Sequence, residues 1–357
     1  MNFASDNTVG ASASVMASLM AANDGSAAPY GADAWTARVT ALMSEMFERE
    51  VTVALVSTGT AANALALACL VEPFGAVLTH AESHISCDEN GAVEFFSHGA
   101  RLVGVGGIGC KLDPADLAAT LAAWPDDNIR QPMPQALSIT QATESGQVYT
   151  PAEVAALTAV ARSRGLRVHM DGARFGNAVA SLGCSPAEIT WKAGVDILSF
   201  GATKNGAWAA EAVVLFDGGL NGAMARRLKR SGHVLSKGRF LAAQWEALLT
   251  DGHWLDLART ANARATRLAQ GLGAVAGVRL GWPCAANEVF AIMPLSLAAH
   301  LKVQGAQFHP WSQVALPASG RPAAGEGLFR FVCSFATSQS DVDRLVALAS
   351  ASVRAAA

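Results

Sequence analysis

Four polar stretches of the chain combine residue types that could perform amine chemistry on a bound anion. They are Ser57-Thr58-Gly59-Thr60, His84, the run His169-Met170-Asp171-Gly172-Ala173-Arg174, and the run Gly201-Ala202-Thr203-Lys204-Asn205-Gly206. Lys204 lies in apolar surroundings, because its nearest lysines in sequence are Lys192 and Lys229. A desolvated lysine loses its proton more readily and becomes an amine nucleophile suited to Schiff-base chemistry. A lysine that extends to the surface is the common alternative.

The other three stretches supply groups that an aromatic, anionic cofactor needs. Glycine in the Ser57–Thr60 turn lets the backbone approach an anion at a helix start, although an ordinary strand–helix turn has the same composition. Asp171 ends an apolar strand and needs a cationic partner, either Arg174 or a ligand. His84 is either structural or, in a cleft, a ring-stacking residue or base. Together with Lys204, these groups predict a pyridoxal phosphate site, in which an aspartate keeps the pyridine nitrogen protonated.

The elements that position these stretches alternate between strand and helix. Apolar runs suited to buried strands occur at Val51–Val56, Ala76–Thr79, Arg101–Val105, Ala136–Thr140, Arg167–Met170, Asp196–Phe200 and Ala212–Phe216. Helices are predicted between most of them, and Asp113 and Thr150 are N-cap residue types followed by proline. The alternation predicts an α/β fold with a mostly parallel, seven-stranded sheet and ligands beyond the carboxyl ends of its strands.

The pattern changes after about residue 250. Predicted there are a helix at Trp254–Leu272, strands at Glu288–Met293 and Leu328–Val332, a loop at Ala315–Gly327 and a helix at Asp341–Ala351. We therefore predict two domains. Residues 1–250 form the large cofactor-binding domain with an N-terminal substrate segment, and residues 251–357 form a smaller α+β domain.

Composition excludes several classes of protein. Hydrophobic residues make up 51% of the 357 residues and charged residues 15%, which argues against a disordered chain and for surface buried between subunits. The net charge of −3 argues against nucleic-acid binding, which depends on Lys and Arg. The stretch Val51–Val71 has no charged residue, but Ser57–Thr60 and Asn63 interrupt it, so we predict a strand and a helix rather than a membrane span.

Cysteine spacing and the first residues bear on the cellular compartment. The six cysteines include no CxxC pair, so we predict reduced thiols and no metal site. No Lys or Arg precedes Arg38, so the positive region of a signal peptide is missing. We predict a cytoplasmic protein without a membrane or nucleic-acid partner.

A glycine-rich loop offers a competing function. Gly104-Val105-Gly106-Gly107-Ile108-Gly109 matches the G-x-G-x-x-G pattern of dinucleotide-binding oxidoreductases and follows a strand. In that site the last glycine opens the helix, whereas Asp113-Pro114 places the helix start four residues beyond Gly109. Glycines of an ordinary strand–helix loop are the favoured interpretation.

The sequence resembles the threonine aldolase family, in the beta-eliminating lyase branch of fold-type I pyridoxal phosphate enzymes. The resemblance runs from Phe3 to about Val342. Its motifs are Ser5-Asp6-Asn7-Thr8, Tyr30-Gly31 with Asp33, Ser57-Thr58-Gly59-Thr60, Ser83-His84, Glu89, Gly91, the His169–Arg174 run, Lys204 and Phe329-Arg330-Phe331-Val332. The His169–Arg174 run with a lysine 33 positions after Asp171 is the specific signal.

The resemblance implies a role for each matching residue. Lys204 would form the Schiff base, Asp171 would pair with the pyridine nitrogen, Arg174 with the phenolic oxygen, Thr58, Gly59 and Thr60 with the phosphate, and His84 with the ring face. Thr203 belongs to the implied cofactor site, and Lys237 or Arg239 to the phosphate site of a neighbouring subunit. Ser5 and Arg330 would bind the substrate carboxylate, with Asp6 and Tyr30 nearby.

The implied reaction is retro-aldol cleavage of L-β-hydroxy-α-amino acids to glycine and an aldehyde, in a homodimer or homotetramer. Threonine, allo-threonine and phenylserine are the implied substrates, and His84 is the implied catalytic base. A β-eliminating lyase or an aminotransferase is the alternative. One departure leaves the base open: the family's histidine after the fourth strand is missing from Ile139-Thr140-Gln141-Ala142-Thr143-Glu144.

Overall fold

The computed structural model describes residues 1–125 and 128–356. Its strands are β1 (Thr52–Val56), β2 (Gly75–His80), β3 (Arg101–Val105), β4 (Met133–Thr140), β5 (Arg167–Gly172), β6 (Ile197–Gly201), β7 (Glu211–Leu215), β8 (Arg279–Leu280), β9 (Glu288–Pro294), β10 (His309–Pro310) and β11 (Glu326–Val332). Its α-helices are α1 (Ala13–Ala22), α2 (Ala34–Met46), α3 (Gly59–Ala68), α4 (His84–Cys87), α5 (Ala92–Phe96), α6 (Pro114–Ala122), α7 (Pro151–Ser163), α8 (Phe175–Leu182), α9 (Asn221–Arg230), α10 (Arg239–Leu249), α11 (His253–Gly273), α12 (Leu295–Val303) and α13 (Gln339–Ala356).

A seven-stranded sheet forms the centre of the molecule. Its strand order is β1-β7-β6-β5-β4-β2-β3, and β7 runs antiparallel to both neighbours while the other pairs are parallel. Every residue of β2, β6 and β7 is buried, because helices cover both faces. The prediction of a mostly parallel, seven-stranded α/β sheet is confirmed, and each predicted strand overlaps an observed one.

Local capping chemistry explains where the helices begin. The Asp113 carboxylate accepts the Ala115 N–H at 2.7 Å and Pro114 opens α6. Thr150 and Glu153 form a reciprocal capping box at the start of α7. The uncharged stretch 51–71 is resolved as β1 followed by α3. Within the described ranges, no helix is long and apolar enough to cross a membrane.

An aromatic cluster packs against β5, which carries Asp171, and β6, which leads to Lys204. Phe200 in β6 lies 5.1 Å from Phe175, 4.6 Å from Trp245 and 5.3 Å from Trp254, measured between ring centroids. Such ring pairs contribute about 0.5–1.5 kcal/mol each beyond their buried area. Because Phe175 opens α8 directly after Arg174, this packing fixes the loop that follows β5.

A second, antiparallel sheet has the order β10-β11-β9-β8 and its own apolar core. The buried side chain of Phe3 belongs to that core, 6.3 Å from Phe331 between ring centroids. The Phe3 carbonyl also accepts the Val332 N–H at 2.9 Å. Phe3, which belongs to the predicted large domain, therefore packs against β11 of the second sheet. The domain boundary at residue 250 stays a prediction, and residue 357 of the predicted small domain lies outside the described residues.

The glycines of the loop 104–109 are required by the local backbone geometry. A side-chain carbon at Gly107 would lie 1.8 Å from the Lys111 carbonyl oxygen, and Gly109 has a φ of +65°. Helix α6 begins at Pro114, so its N-terminus does not meet the last glycine of the pattern. This geometry differs from that of a dinucleotide site, as the position of Asp113-Pro114 predicted. The predicted loop 315–327 contains one short 3-10 turn, Ala318–Gly320, and its predicted end is wrong, because Glu326 and Gly327 belong to β11.

Candidate active site

A cavity of about 300 Å³ opens at the carboxyl ends of the central strands. Its lining includes predicted site residues that are far apart in the sequence. These are Thr58, Gly59, Thr60, His84, Asp171, Arg174, Thr203 and Lys204. The volume lies at the lower end of the range for small-molecule sites, about 300–1,000 Å³.

One end of the cavity is built to receive an anion. The side chain of Thr58 caps α3 by accepting the Ala61 N–H at 3.2 Å, and its carbonyl accepts the Ala62 N–H at 3.1 Å. The N–H groups of Gly59 and Thr60 precede these bonds at the positive end of the helix dipole. A side-chain carbon built at Gly59 would meet no atom within 4 Å, so the backbone here borders open space. A phosphate fits this end of the cavity.

Asp171 lies in the penultimate position of β5 and is only 4% exposed. Its carboxylate accepts the Asn63 amide at 2.8 Å and the Ala173 N–H at 3.0 Å, both neutral donors. The structural Asp171–Arg174 pair that the sequence allowed is not formed, because Arg174 turns to other carboxylates. A protonated ring nitrogen would supply the positive charge that a buried carboxylate requires.

Arg174 is held by two acidic residues. Its Nε and Nη2 donate to the two Asp6 oxygens at 2.8 and 3.0 Å, and Nη1 lies 3.3 Å from Glu288. Burial alone would raise the pKa of Asp6, but Arg174 lowers it below its ordinary value. Asn287 also donates to Asp6 at 3.0 Å. Both oxygens of Asp6, a predicted substrate-binding residue, therefore accept hydrogen bonds from Arg174 or Asn287 in this chain.

Lys204 lies on a 3-10 turn, Thr203–Asn205, directly after β6. Burial lowers the pKa of its amine below the ordinary value, and the nearby charge of Arg174 lowers that pKa further. The turn is held in place by Asn205, whose amide donates to the Trp254 carbonyl at 2.8 Å. The predicted desolvated lysine is thus present in the structure, and its environment favours the nucleophilic, neutral amine.

His84 pairs with a carboxylate on one side of the cavity. Its Nδ1 lies 2.8 Å from Glu89 Oε1, and this hydrogen bond raises the pKa of the imidazole above its ordinary value. Glu89 also accepts the Asn63 amide at 2.8 Å, which joins His84 to Asp171 through a buried chain of hydrogen bonds. The arrangement holds the imidazole ring in one orientation beside the cavity.

Sequence reasoning missed Glu144, which also lines the cavity. Its Oε1 accepts the His84 backbone N–H at 2.9 Å and the Thr140 hydroxyl at 3.0 Å. Burial raises the pKa of its carboxyl to about 7. Its position in the sequence could have indicated this role. Glu144 is the one titratable side chain of the stretch 139–144, in which the family histidine is missing.

Ser5 and Arg330 are not among the lining residues of the cavity, but each is linked to one of them, Ser5 to Asn7 and Arg330 through Glu288 to Arg174. The Ser5 hydroxyl accepts the Asn7 N–H at 3.1 Å, and Asn7 itself lines the cavity. The Arg330 guanidinium lies 3.9 Å from the centroid of the Trp311 ring, and its Nη1 lies 3.5 Å from Glu288. Its Nε is buried and has no hydrogen-bond partner within residues 1–125 and 128–356. An orphaned guanidinium nitrogen is suited to a carboxylate ligand.

Tyr30 and Lys237 lie outside the cavity of their own chain. Tyr30 is 59% exposed and its N–H donates to the Ser236 carbonyl at 3.1 Å, while Lys237 is exposed on the same surface. The turn at Gly31 packs against Gly238, which fixes both residues on this face. Within one chain, the structure therefore does not bring these two predicted residues to the site.

Comparison with known proteins then assigns the family. The family model described as "Beta-eliminating lyase" matches residues 2–293. This chain belongs to the beta-eliminating lyase family. Two curated proteins named low specificity L-threonine aldolase support this membership, from Pseudomonas sp. strain NCIMB 10558 and Pseudomonas aeruginosa. Each is 41% identical to this chain, with coverage of 97% of this chain and 96% or 95% of the relative.

Solved structures share the fold of this chain. The threonine aldolase of Leishmania major is 28% identical, has a TM-score of 0.90 and is matched over 99% of both chains. A serine palmitoyltransferase structure with pyridoxal phosphate shares the fold at 18% identity, with a TM-score of 0.71 and coverage of 99% of this chain and 87% of that one. The fold is that of fold-type I pyridoxal phosphate enzymes, as predicted, and the protein is a lyase of threonine aldolase type.

Proposed function

We propose that this lyase cleaves L-β-hydroxy-α-amino acids, among them threonine, allo-threonine and phenylserine, into glycine and an aldehyde with pyridoxal phosphate as cofactor. The observation that carries the proposal is the convergence of Lys204, Asp171 and the N-terminus of α3 on one cavity. The aldolase names of the relatives support the choice of reaction. The buried Nε of Arg330 supports an amino acid substrate, whose carboxylate it can bind.

The residues of the cavity fit pyridoxal phosphate chemically. The open space at Gly59 and the free helix terminus suit the phosphate, and Asp171 suits the pyridine nitrogen. The amine of Lys204, with its lowered pKa, suits the aldehyde group. When bound, the cofactor would draw away the electron pair left on the substrate α-carbon as the Cα–Cβ bond breaks.

The side chains of this protein bind and orient the substrate and the cofactor. Ser5 and Arg330 hold the substrate carboxylate, which fixes the orientation of the Cα–Cβ bond. His84, held by Glu89, would lie against the cofactor ring. Thr203 supports the lysine turn, since its hydroxyl accepts the Ala210 N–H at 3.3 Å. Arg174, which keeps its bidentate pair with Asp6, would offer its remaining N–H groups to the cofactor's phenolic oxygen.

A product assay with a visible spectrum tests the proposal. The purified protein is scanned for the absorbance of a lysine-bound cofactor and then given L-threonine, L-allo-threonine and DL-threo-phenylserine. We expect equal amounts of glycine and aldehyde from at least one of them. Ammonia and a keto acid without glycine would instead indicate the alternative, a β-eliminating lyase or aminotransferase. A colourless protein unaffected by added pyridoxal phosphate would contradict the role of Lys204.

Asp171→Asn is expected to lower kcat by about 100- to 1,000-fold, the range for loss of one preorganised electrostatic contact. The amide can still accept the Ala173 N–H but carries no charge to keep the ring nitrogen protonated. Steady-state aldehyde release measures the effect. Asp196→Asn is the matched control, because Asp196 is also buried but pairs with Arg162 and Arg167 away from the cavity. An equal loss of kcat in both variants would contradict the assignment.

We also propose a homodimer or homotetramer in which Tyr30 and Lys237 complete the site of the neighbouring subunit. Both residues are exposed and share one surface. If sites are shared, mixing inactive Lys204→Ala with a weakened Lys237→Ala variant restores activity, because one hybrid site carries neither substitution. Absence of restored activity, or a light-scattering mass of one fully active chain, would contradict shared sites. The compartment we propose remains the cytoplasm.

A further inference from the structure

Glu144 lines two cavities. It lines the 300 Å³ cavity that holds Lys204 and also a second cavity of about 240 Å³. The second cavity is bordered by residues of the C-terminal part of the chain, Trp311 and Ala315, and by Cys110. A substrate whose amino acid part lies in the first cavity and whose β-substituent reaches the second must carry its β-carbon past Glu144.

The two oxygens of the Glu144 carboxyl have different surroundings. Oε1 is fully engaged, since it accepts the His84 backbone N–H and the Thr140 hydroxyl. Oε2 is buried and has no hydrogen-bond partner in the part of the chain that the structure describes. A buried, unpaired carboxylate oxygen is costly, so it is suited to a ligand donor such as a hydroxyl.

The alternative base, His84, is less suited to accept a proton. Its Nδ1 is committed to Glu89 at 2.8 Å, an ion pair that favours the protonated imidazolium. An imidazolium donates protons and cannot act as a base. The stretch 139–144 after β4 contains no histidine, and Glu144 is its one titratable side chain.

We propose that Glu144 is the catalytic base that takes the β-hydroxyl proton, an inference that rests on the proposed aldolase function. The O–H electron pair becomes the second bond of the aldehyde carbonyl, and the Cα–Cβ bond breaks with its pair left on Cα. Cα then takes a proton from solvent and gives glycine, while the Glu144 carboxyl releases its proton to solvent, so protons and electrons balance without a co-reactant. The second cavity receives the methyl or phenyl group of the leaving aldehyde.

The pH dependence follows from the charges around Glu144. Burial is the main cause that raises its pKa to about 7, and the hydrogen bonds from His84 and Thr140 oppose that rise. The charged and titratable groups that face it from neighbouring elements are His84, Cys87, Cys110, Tyr149, Asp171 and Arg174. Because only the ionised carboxyl accepts a proton, kcat is expected to rise as pH increases through about 7.

Glu144→Gln on the holoenzyme is the decisive variant. Its amide oxygen can still accept from His84 and Thr140, so the fold is retained while the base is lost. We expect kcat for threonine to fall by about 100-fold or more, the usual contribution of a general base. Exchange of the glycine α-proton in D₂O, which involves no β-hydroxyl, is expected to continue at the wild-type rate. An unchanged kcat for cleavage, or equal losses in both reactions, would overturn the proposal.

Two further measurements separate catalysis from structure. Thr140→Val removes a donor to the carboxylate, so the rise of kcat is expected to move to higher pH; an unmoved profile overturns the proposal. Difference infrared spectra of substrate-free wild type and Glu144→Gln are expected to show one carboxyl band that titrates near pH 7, and its absence also overturns it. If wild type exchanges the glycine proton but cleaves no hydroxyamino acid, the proposed function fails instead.

Discussion

Lys204→Ala is expected to abolish turnover, with kcat lower by on the order of 10⁴-fold or more, as for other residues that act by covalent catalysis. The visible absorbance of a lysine-bound cofactor is expected to disappear as well. The physical reason is that burial and the Arg174 charge lower the pKa of this amine, which makes it the nucleophile of the cavity. Spectra of the purified variant with added pyridoxal phosphate, together with aldehyde release, measure both effects.

Lys192→Ala is the matched control for this prediction. Lys192 lies outside the cavity and pairs with Glu48 on the surface, with 40% of its side chain exposed. Its removal is expected to leave both the spectrum and the turnover unchanged. A Lys204→Ala protein that kept its visible absorbance and released aldehyde would show that another amine performs the chemistry.

Asp6→Ala is expected to lower the free energy of unfolding by about 3–5 kcal/mol, the usual result of removing one partner of a buried ion pair. The Asp6 and Arg174 side chains are 1% and 10% exposed, and Asp6 accepts two of the guanidinium's N–H groups. Without Asp6, Arg174 keeps only Glu288, at 3.3 Å, as its carboxylate contact. Urea unfolding followed by tryptophan fluorescence measures the change.

Asp256→Ala provides a control at the same ion-pair distance. The Arg259–Asp256 pair is also 2.8 Å long, but its side chains are 60% and 67% exposed. Water screens such a pair, so its loss is expected to cost less than about 1 kcal/mol. If Asp6→Ala unfolded at the same urea concentration as Asp256→Ala, the buried pair would not hold the N-terminal segment to the sheet as we infer.

Much of the scaffold was predictable from local patterns. Buried parallel strands are continuous apolar runs, so the seven strands of the central sheet were located without knowledge of their order. Asp113 and Thr150 marked helix starts, because a cap depends on side chains a few residues apart. The antiparallel placement of β7 and the short strands β8 and β10 were not predicted, since they depend on partners distant in sequence.

The sequence by itself determined which residue types are available for chemistry, and it predicted the reactive groups among them. Lys204, Asp171 and the Thr58–Thr60 turn were recognisable because their chemistry follows from residue type and from position at a strand end. The meeting of these groups in one cavity agrees with that interpretation.

Only the tertiary structure decided which groups pair. Arg174 turned from the neighbouring Asp171 to Asp6, 168 residues away in the chain. The structure also added Glu144 to the cavity and placed Tyr30 and Lys237 on an outer face. The physical reason is that hydrogen-bond partners, burial and the resulting charge state depend on three-dimensional distances, which local sequence patterns do not contain.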